Sequence, residues 1–148
     1  MYRNILISTD GSDLAGKAVE HGVGLAKDLD AAVTFVTVTE MWSALDMAAE
    51  VEHGTLNPLE VYEEMAAKAA EKILTAAKAA ARKAGVKCET LHVRDRPPAE
   101  GIIATAEEKG CDLIVMASHG RRGLNRILLG SQTTEVLAYT KVPVLVVR

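Results

Sequence analysis

The residues best suited to chemistry fall in two short stretches. The longer runs from Asp112 to Gln132, where an apolar run, Leu113 to Met116, leads into Ala117-Ser118-His119-Gly120 and a basic loop carrying Arg121, Arg122 and Arg126. It reaches Gly130-Ser131 just ahead of TTEVLAYT, which reads as a helix. A helix start leaves backbone N–H groups unpaired and carries partial positive charge, so an anion is held there without dedicated side chains. Gly130 allows close backbone approach to a ligand, and Ser131 can cap the helix or offer its hydroxyl to a phosphate. The same spacing also suits an ordinary loop, with glycines for turns, arginines in solvent and serine as a cap. The shorter stretch is Asp10-Gly11-Ser12, where Asp10 suits either an Asp-Gly turn or a ligand contact.

Composition limits what these residues can serve. The chain has 148 residues and 49% hydrophobic content, enough for one well-buried core, and one domain is expected. Its net charge of −3 argues against a general binder of nucleic acid or of membrane surfaces, which makes the arginines near residue 121 a local feature. No apolar run approaches the ~20 residues of a membrane span, and the N-terminus enters a strand pattern without a signal peptide's apolar stretch. The expected location is cytoplasmic. Cys88 and Cys111 show no metal spacing and read as buried free thiols.

Stepping along the chain, β-rich runs alternate with helical periods. Strands are expected at Tyr2 to Thr9, Ala31 to Thr39, Val86 to Arg94, Leu113 to Met116 and Lys141 to Arg148. Ser12 caps a first helix whose inner stripe includes Ala15, Ala18, Val19, Gly22 and Ala26. Asn57-Pro58-Leu59-Glu60 starts a long helix ended by Gly85, with an inner stripe of Tyr62, Met65, Ala66, Ala69, Ile73, Ala76, Ala77 and Ala80. Pro97-Pro98 opens another. Between Glu40 and Leu56, with Trp42, Met41, Met47 and His53, no clean period emerges; a lid, a partner surface, a disordered stretch or a partly helical surface excursion would each account for it.

This alternation predicts a single-domain α/β fold, a doubly wound five-stranded parallel sheet of order 3-2-1-4-5 with helices on both faces. In that arrangement the first and fourth strands are neighbours and a crevice opens between their carboxyl ends. Asp10 then comes beside Ala117 to Gly120, with the Ser131 helix start nearby. A carboxylate at one end and a phosphate-friendly helix start at the other suit a nucleotide.

The ILISTDGS opening, the GCDLIVMASHGRRG block, the LLGS turn and the closing VPVLVV together resemble the universal stress protein family over the full length. The resemblance implies a Rossmann-like fold of adenine-nucleotide-binding type, a homodimer through the last edge strand and a cytoplasmic role in stress resistance. ATP-binding members carry G-x2-G-x9-G-[ST]; here Gly120, Gly130 and Ser131 match, while Ala117 takes the first glycine position. By this resemblance Asp10 contacts ribose or adenine, the backbone at Val38 frames the base, and Met116, Ala117, His119 and Gly120 flank ribose and phosphate. Gly130, Ser131, Gln132 and Thr133 hold the phosphates with backbone N–H and hydroxyl groups, Arg121 and Arg122 can neutralise their charge, and Gly123 serves the turn. The implied ligand is ATP or AMP, with or without Mg²⁺.

Three functions stand beside one another: a nucleotide-binding regulatory protein, a slow ATPase or phosphotransferase, and a dimeric interaction module with an empty site. Phosphoryl transfer ordinarily needs metal ligands and a residue that positions the nucleophile. The chain has no GK[ST] P-loop and Asp10 is the one acid expected nearby, so catalysis beyond weak ATP hydrolysis is not expected. The apolar Val142 to Val147 edge invites pairing with a second copy, and a client protein is left unspecified.

Overall fold

A computed structural model describes residues 1–120 and 128–148. In chain order the elements are β1 (Asn4–Ser8), α1 (Asp13–Leu29), β2 (Ala32–Thr39), α2 (Ala44–Glu52), α3 (Pro58–Ala84), β3 (Cys88–Arg94), α4 (Pro98–Glu108), β4 (Leu113–Ala117), α5 (Ser131–Tyr139) and β5 (Val144–Val147). The five strands are parallel and lie in the order β3-β2-β1-β4-β5, as the alternation of strands and helices requires.

Ile5, Leu6 and Ile7 of β1 are all fully buried because helices cover both faces of the central strand. Successive side chains point to opposite faces, so Ile5 and Ile7 join Phe35 and the alanine faces of α1 and α3, while Leu6 joins Val36, Ile102 of α4 and Val136 of α5. On the first face Gly22 makes the close approach possible. A Cβ there would press on the Cδ1 of Ile7 and stand 2.9 Å from its Cγ1.

Some boundaries differ from those expected. The last strand begins at Val144 rather than Lys141; Pro143 has no N–H to give, although its carbonyl still accepts from Ile114 N–H at 2.9 Å. Asn57 precedes α3 but adopts φ 51° and makes no side-chain capping bond, so Pro58 and the first-turn Glu60 carry the start signal. The residues of α3 that are buried are Ala70, Leu74, Ala77 and Ala81, while Met65 is exposed. The 27 residues of α3 run about 40 Å, against roughly 23 Å for the seven of β3. Its first turns therefore overhang the carboxyl end of the sheet. The Glu40 to Leu56 stretch is a surface excursion holding α2, capped by Ser43 and without a buried residue.

At the edge of the sheet β3 has no fully buried residue: Cys88, Leu91, His92 and Val93 are half-buried, and Glu89, Thr90 and Arg94 are exposed. His92 Nε2 lies 2.7 Å from Thr39 Oγ1, and burial, helped by the Arg94 charge, holds the imidazole's pKa below its usual 6.5. The unfolded chain therefore takes up this proton first. Stability present above pH 6.5 is lost as the pH falls from there toward the folded-state value. Urea midpoints are expected to fall on acidification below that point and to fall less in His92→Gln. Glu89, held low by its hydrogen bond from Lys109, acts in a separate window below its usual 4.5.

Candidate functional site

At the carboxyl ends of β1, β2 and β4 the chain leaves a cavity of about 500 Å³, within the range of small-ligand sites. All ten residues singled out from the sequence line it. Asp10 follows β1, Val38 is near the end of β2, Met116 and Ala117 close β4, His119 and Gly120 follow them, and Gly130 to Thr133 enter α5. Arg121, Arg122, Gly123 and Arg126 lie outside the described residues.

Two turns fix the geometry. Asp10 Oδ1 accepts from Ser12 N–H at 2.9 Å, and Ser12 Oγ in turn accepts from Ala15 N–H at the start of α1. Asp10 is thus both an Asp-Gly turn residue and part of the lining. Its other oxygen lies 2.9 Å from where a Cβ on Gly120 would stand, so Gly120 makes room for the carboxylate. On the facing side Gly130 N–H donates to Ser118 O at 2.7 Å, and Ser118 N–H donates to Val147 O at 2.8 Å. The start of α5 is thereby tied through the exit of β4 to β5.

Ala117 is the last residue of β4, is absent from the positive-φ positions, and is 8% exposed within the α1/α3 core. Its methyl group is accommodated in extended backbone, so the missing motif glycine costs no left-handed conformation here.

At α5 the caps differ from expectation. Gly130 is the N-cap and Ser131 the first helical residue, exposed at the cavity. Gln132 Oε1 accepts from Ala99 N–H at 2.9 Å, filling an unpaired donor at the start of α4. Thr133 Oγ1 donates to Ala117 O at 2.9 Å and is buried. These two side chains therefore serve the frame, and the donors left open at this helix start are the first-turn N–H groups of α5. His119 is half-buried. Its Nδ1 lies 3.0 Å from Ser118 Oγ, and its Nε2 is buried with no hydrogen-bond partner among the described residues.

The α3 side of the cavity was not expected from the sequence. Tyr62, Ala66, Ala69 and Ile73 line it, and Tyr62 donates to Glu40 O at 2.8 Å while stacking on Trp42 with ring centroids 4.8 Å apart. Burial, then the charges of Glu40 and Asp95, raise the pKa of the Tyr62 phenol above 10.0. Glu40 is also a second acid on the lining, where Asp10 alone was expected. The mismatch between a 27-residue helix pattern and strands of four to eight residues was the signal available for this wall. Among the described residues no group of three or more His, Cys, Asp and Glu gathers to hold a metal, and no helix is long and apolar enough to cross a membrane.

Known proteins are similar to this chain in sequence and in fold. A universal stress protein of Methanocaldococcus jannaschii is 36% identical over 148 residues, covering all of this chain and 83% of that one. The structure of the universal stress protein UspA from Lactobacillus plantarum superposes with a TM-score of 0.78 at 24% identity, covering 99% of this chain and 98% of that one. A universal stress protein crystallised in complex with cAMP is 25% identical, with a TM-score of 0.67 over 99% of this chain and 97% of its own. The model of the universal stress protein family matches residues 1–148. By motif, sheet order and full-length match, the chain belongs to the universal stress protein family.

Proposed function

We propose that this protein binds an adenine nucleotide, ATP or AMP, in the crevice between β1 and β4 and works as a dimeric regulatory protein of cytoplasmic stress resistance. The observation that carries the reading is the convergence on one cavity of Asp10, the start of α5 and His119, whose buried Nε2 has no hydrogen-bond partner among the described residues. Asp10 faces the ribose or base, and the Val38 backbone frames the base. The N–H groups of Ser131, Gln132 and Thr133 take the phosphates, with His119 beside them. Gly130 holds that turn in place. The relative in complex with cAMP supports the choice of an adenine nucleotide.

Calorimetric titration with ATP, ADP, AMP and cAMP, with and without Mg²⁺, tests this. Micromolar affinity is expected for at least one of them, weakened about tenfold or more, ~1.4 kcal/mol, by Asp10→Ala. Absence of heat at millimolar nucleotide would discard the reading in favour of an interaction module. Product formation dependent on Asp10 would instead favour a slow ATPase.

The dimer forms through the β5 edge, Val142 to Val147. Leu145 on that strand and Tyr139 and Leu137 on α5 are exposed at 37, 72 and 42%, and among the described residues β5 pairs with β4 alone. Val146→Lys is expected to yield monomers in sedimentation; an unchanged dimer mass would remove this interface.

A further inference from the structure

The excursion between β2 and α3 exposes more apolar surface than the fold uses. Leu45, Val51, Leu56 and Met65 are 81, 59, 85 and 67% exposed. Between α2 and the start of α3 lies an open groove of about 640 Å³, lined by Met47, Val51, Pro58 and Leu59 with Glu60 and Glu63. It shares no lining residue with the nucleotide cavity. Seven of the chain's twenty acidic residues fall between positions 40 and 67, a span with none of its seventeen Lys and Arg. Lys68 offsets one of them, at 3.0 Å from Glu64.

We infer that this groove is a docking site for a basic amphipathic helix of a partner protein. Apolar side chains along α2, a helix of nine residues and so about 13 Å, suit an occupant of two to three turns laid into the groove. The acidic surround selects the sign of that occupant's polar face. It also discriminates against the alternatives, since a second copy would bring the same acidic surface face to face with itself. Anionic lipid and nucleic acid would be repelled in the same way.

The test uses the full chain and a synthetic 14-residue amphipathic Leu–Lys peptide, with a Leu–Glu peptide of the same pattern as its counterpart. Binding is read by calorimetry and by emission of Trp42, the single tryptophan, which stacks on Tyr62 at the start of α3. The Leu–Lys peptide is expected to bind, and to bind about tenfold more weakly on going from low to physiological salt. Val51→Ser with Leu59→Ser removes apolar surface from exposed positions without changing charge, and is expected to weaken binding at least about fivefold; Glu60→Gln with Glu63→Gln should do the same. Failure of the Leu–Lys peptide to bind, equal binding of the Leu–Glu peptide, or undiminished binding to the Val51/Leu59 variant would overturn the inference. So would a lower sedimentation mass in that variant, which would make the surface a contact between copies.

Discussion

Gly130→Val is expected to lower adenine-nucleotide affinity by about two orders of magnitude, ~3 kcal/mol, while leaving a folded protein. A Cβ at this position would stand 3.2 Å from Ser118 O and 3.3 Å from His119 Cα, and both of these are backbone. Neither can rotate aside as a side chain would. The branched valine adds atoms beyond that Cβ, so the N-terminus of α5 has to move away from the exit of β4, lengthening the 2.7 Å bond from Gly130 N–H to Ser118 O. That displacement carries off the donors assigned to the phosphates, whereas the core at Val136 lies more than a turn along the helix. Overpacking of this kind costs about 1–3 kcal/mol of stability. Urea unfolding alongside calorimetry separates the two effects. Ala117→Gly supplies the contrast: because Ala117 is already in extended backbone, restoring the motif glycine is expected to change affinity by no more than about threefold and to reduce stability. A large gain in affinity in Ala117→Gly, or intact binding in Gly130→Val, would contradict the assignment of these two positions.

Those two residues also show where the sequence was informative and where it was not. The strand and helix periods, with cap signals such as Ser12 and Gly85, are local properties, and they were sufficient for the order of elements and for a crevice beside Asp10. The resemblance then supplied residue roles, and the fold brings those residues to one cavity. What could not be read were choices made by partners distant in sequence. Gln132 and Thr133 look like phosphate ligands by position, yet their side chains answer Ala99 N–H, 33 residues away, and Ala117 O, 16 residues away. Met65 fits the apolar period of α3, but the strands beneath that helix end too soon to cover it. The Tyr62 wall depends on the same overhang, a length relation between two elements rather than a motif in either.

Phe35→Ala is expected to cost about 3–5 kcal/mol, a large share of the stability ordinary for a domain of this size, and to lower the melting temperature by roughly 10–20 °C. Phe35 is the one phenylalanine of the chain and is fully buried in β2, paired with Ile7 of β1 on one side and Thr90 of β3 on the other. The helices over this face present Ala18 and Ala26 from α1 and Ala77 and Ala81 from α3, beside the larger Val19, Val23 and Leu74. The short alanine side chains let the helices come close to the sheet, which leaves the ring as a main source of volume between them. Alanines have no rotamer with which to fill the space left by its removal, so the cavity persists and its cost adds to the lost transfer free energy. Phe35→Leu is expected to lose less, because most of the volume remains. Replacing Leu56, 85% exposed, by serine should stay within about 0.5 kcal/mol. Denaturant unfolding of the three variants measures the series. A loss below about 1.5 kcal/mol for Phe35→Ala would mean that α1 and α3 settle onto the sheet after all, and the same movement would then be visible as a narrower cavity at Val38 and Tyr62, which β2 and α3 carry to its wall.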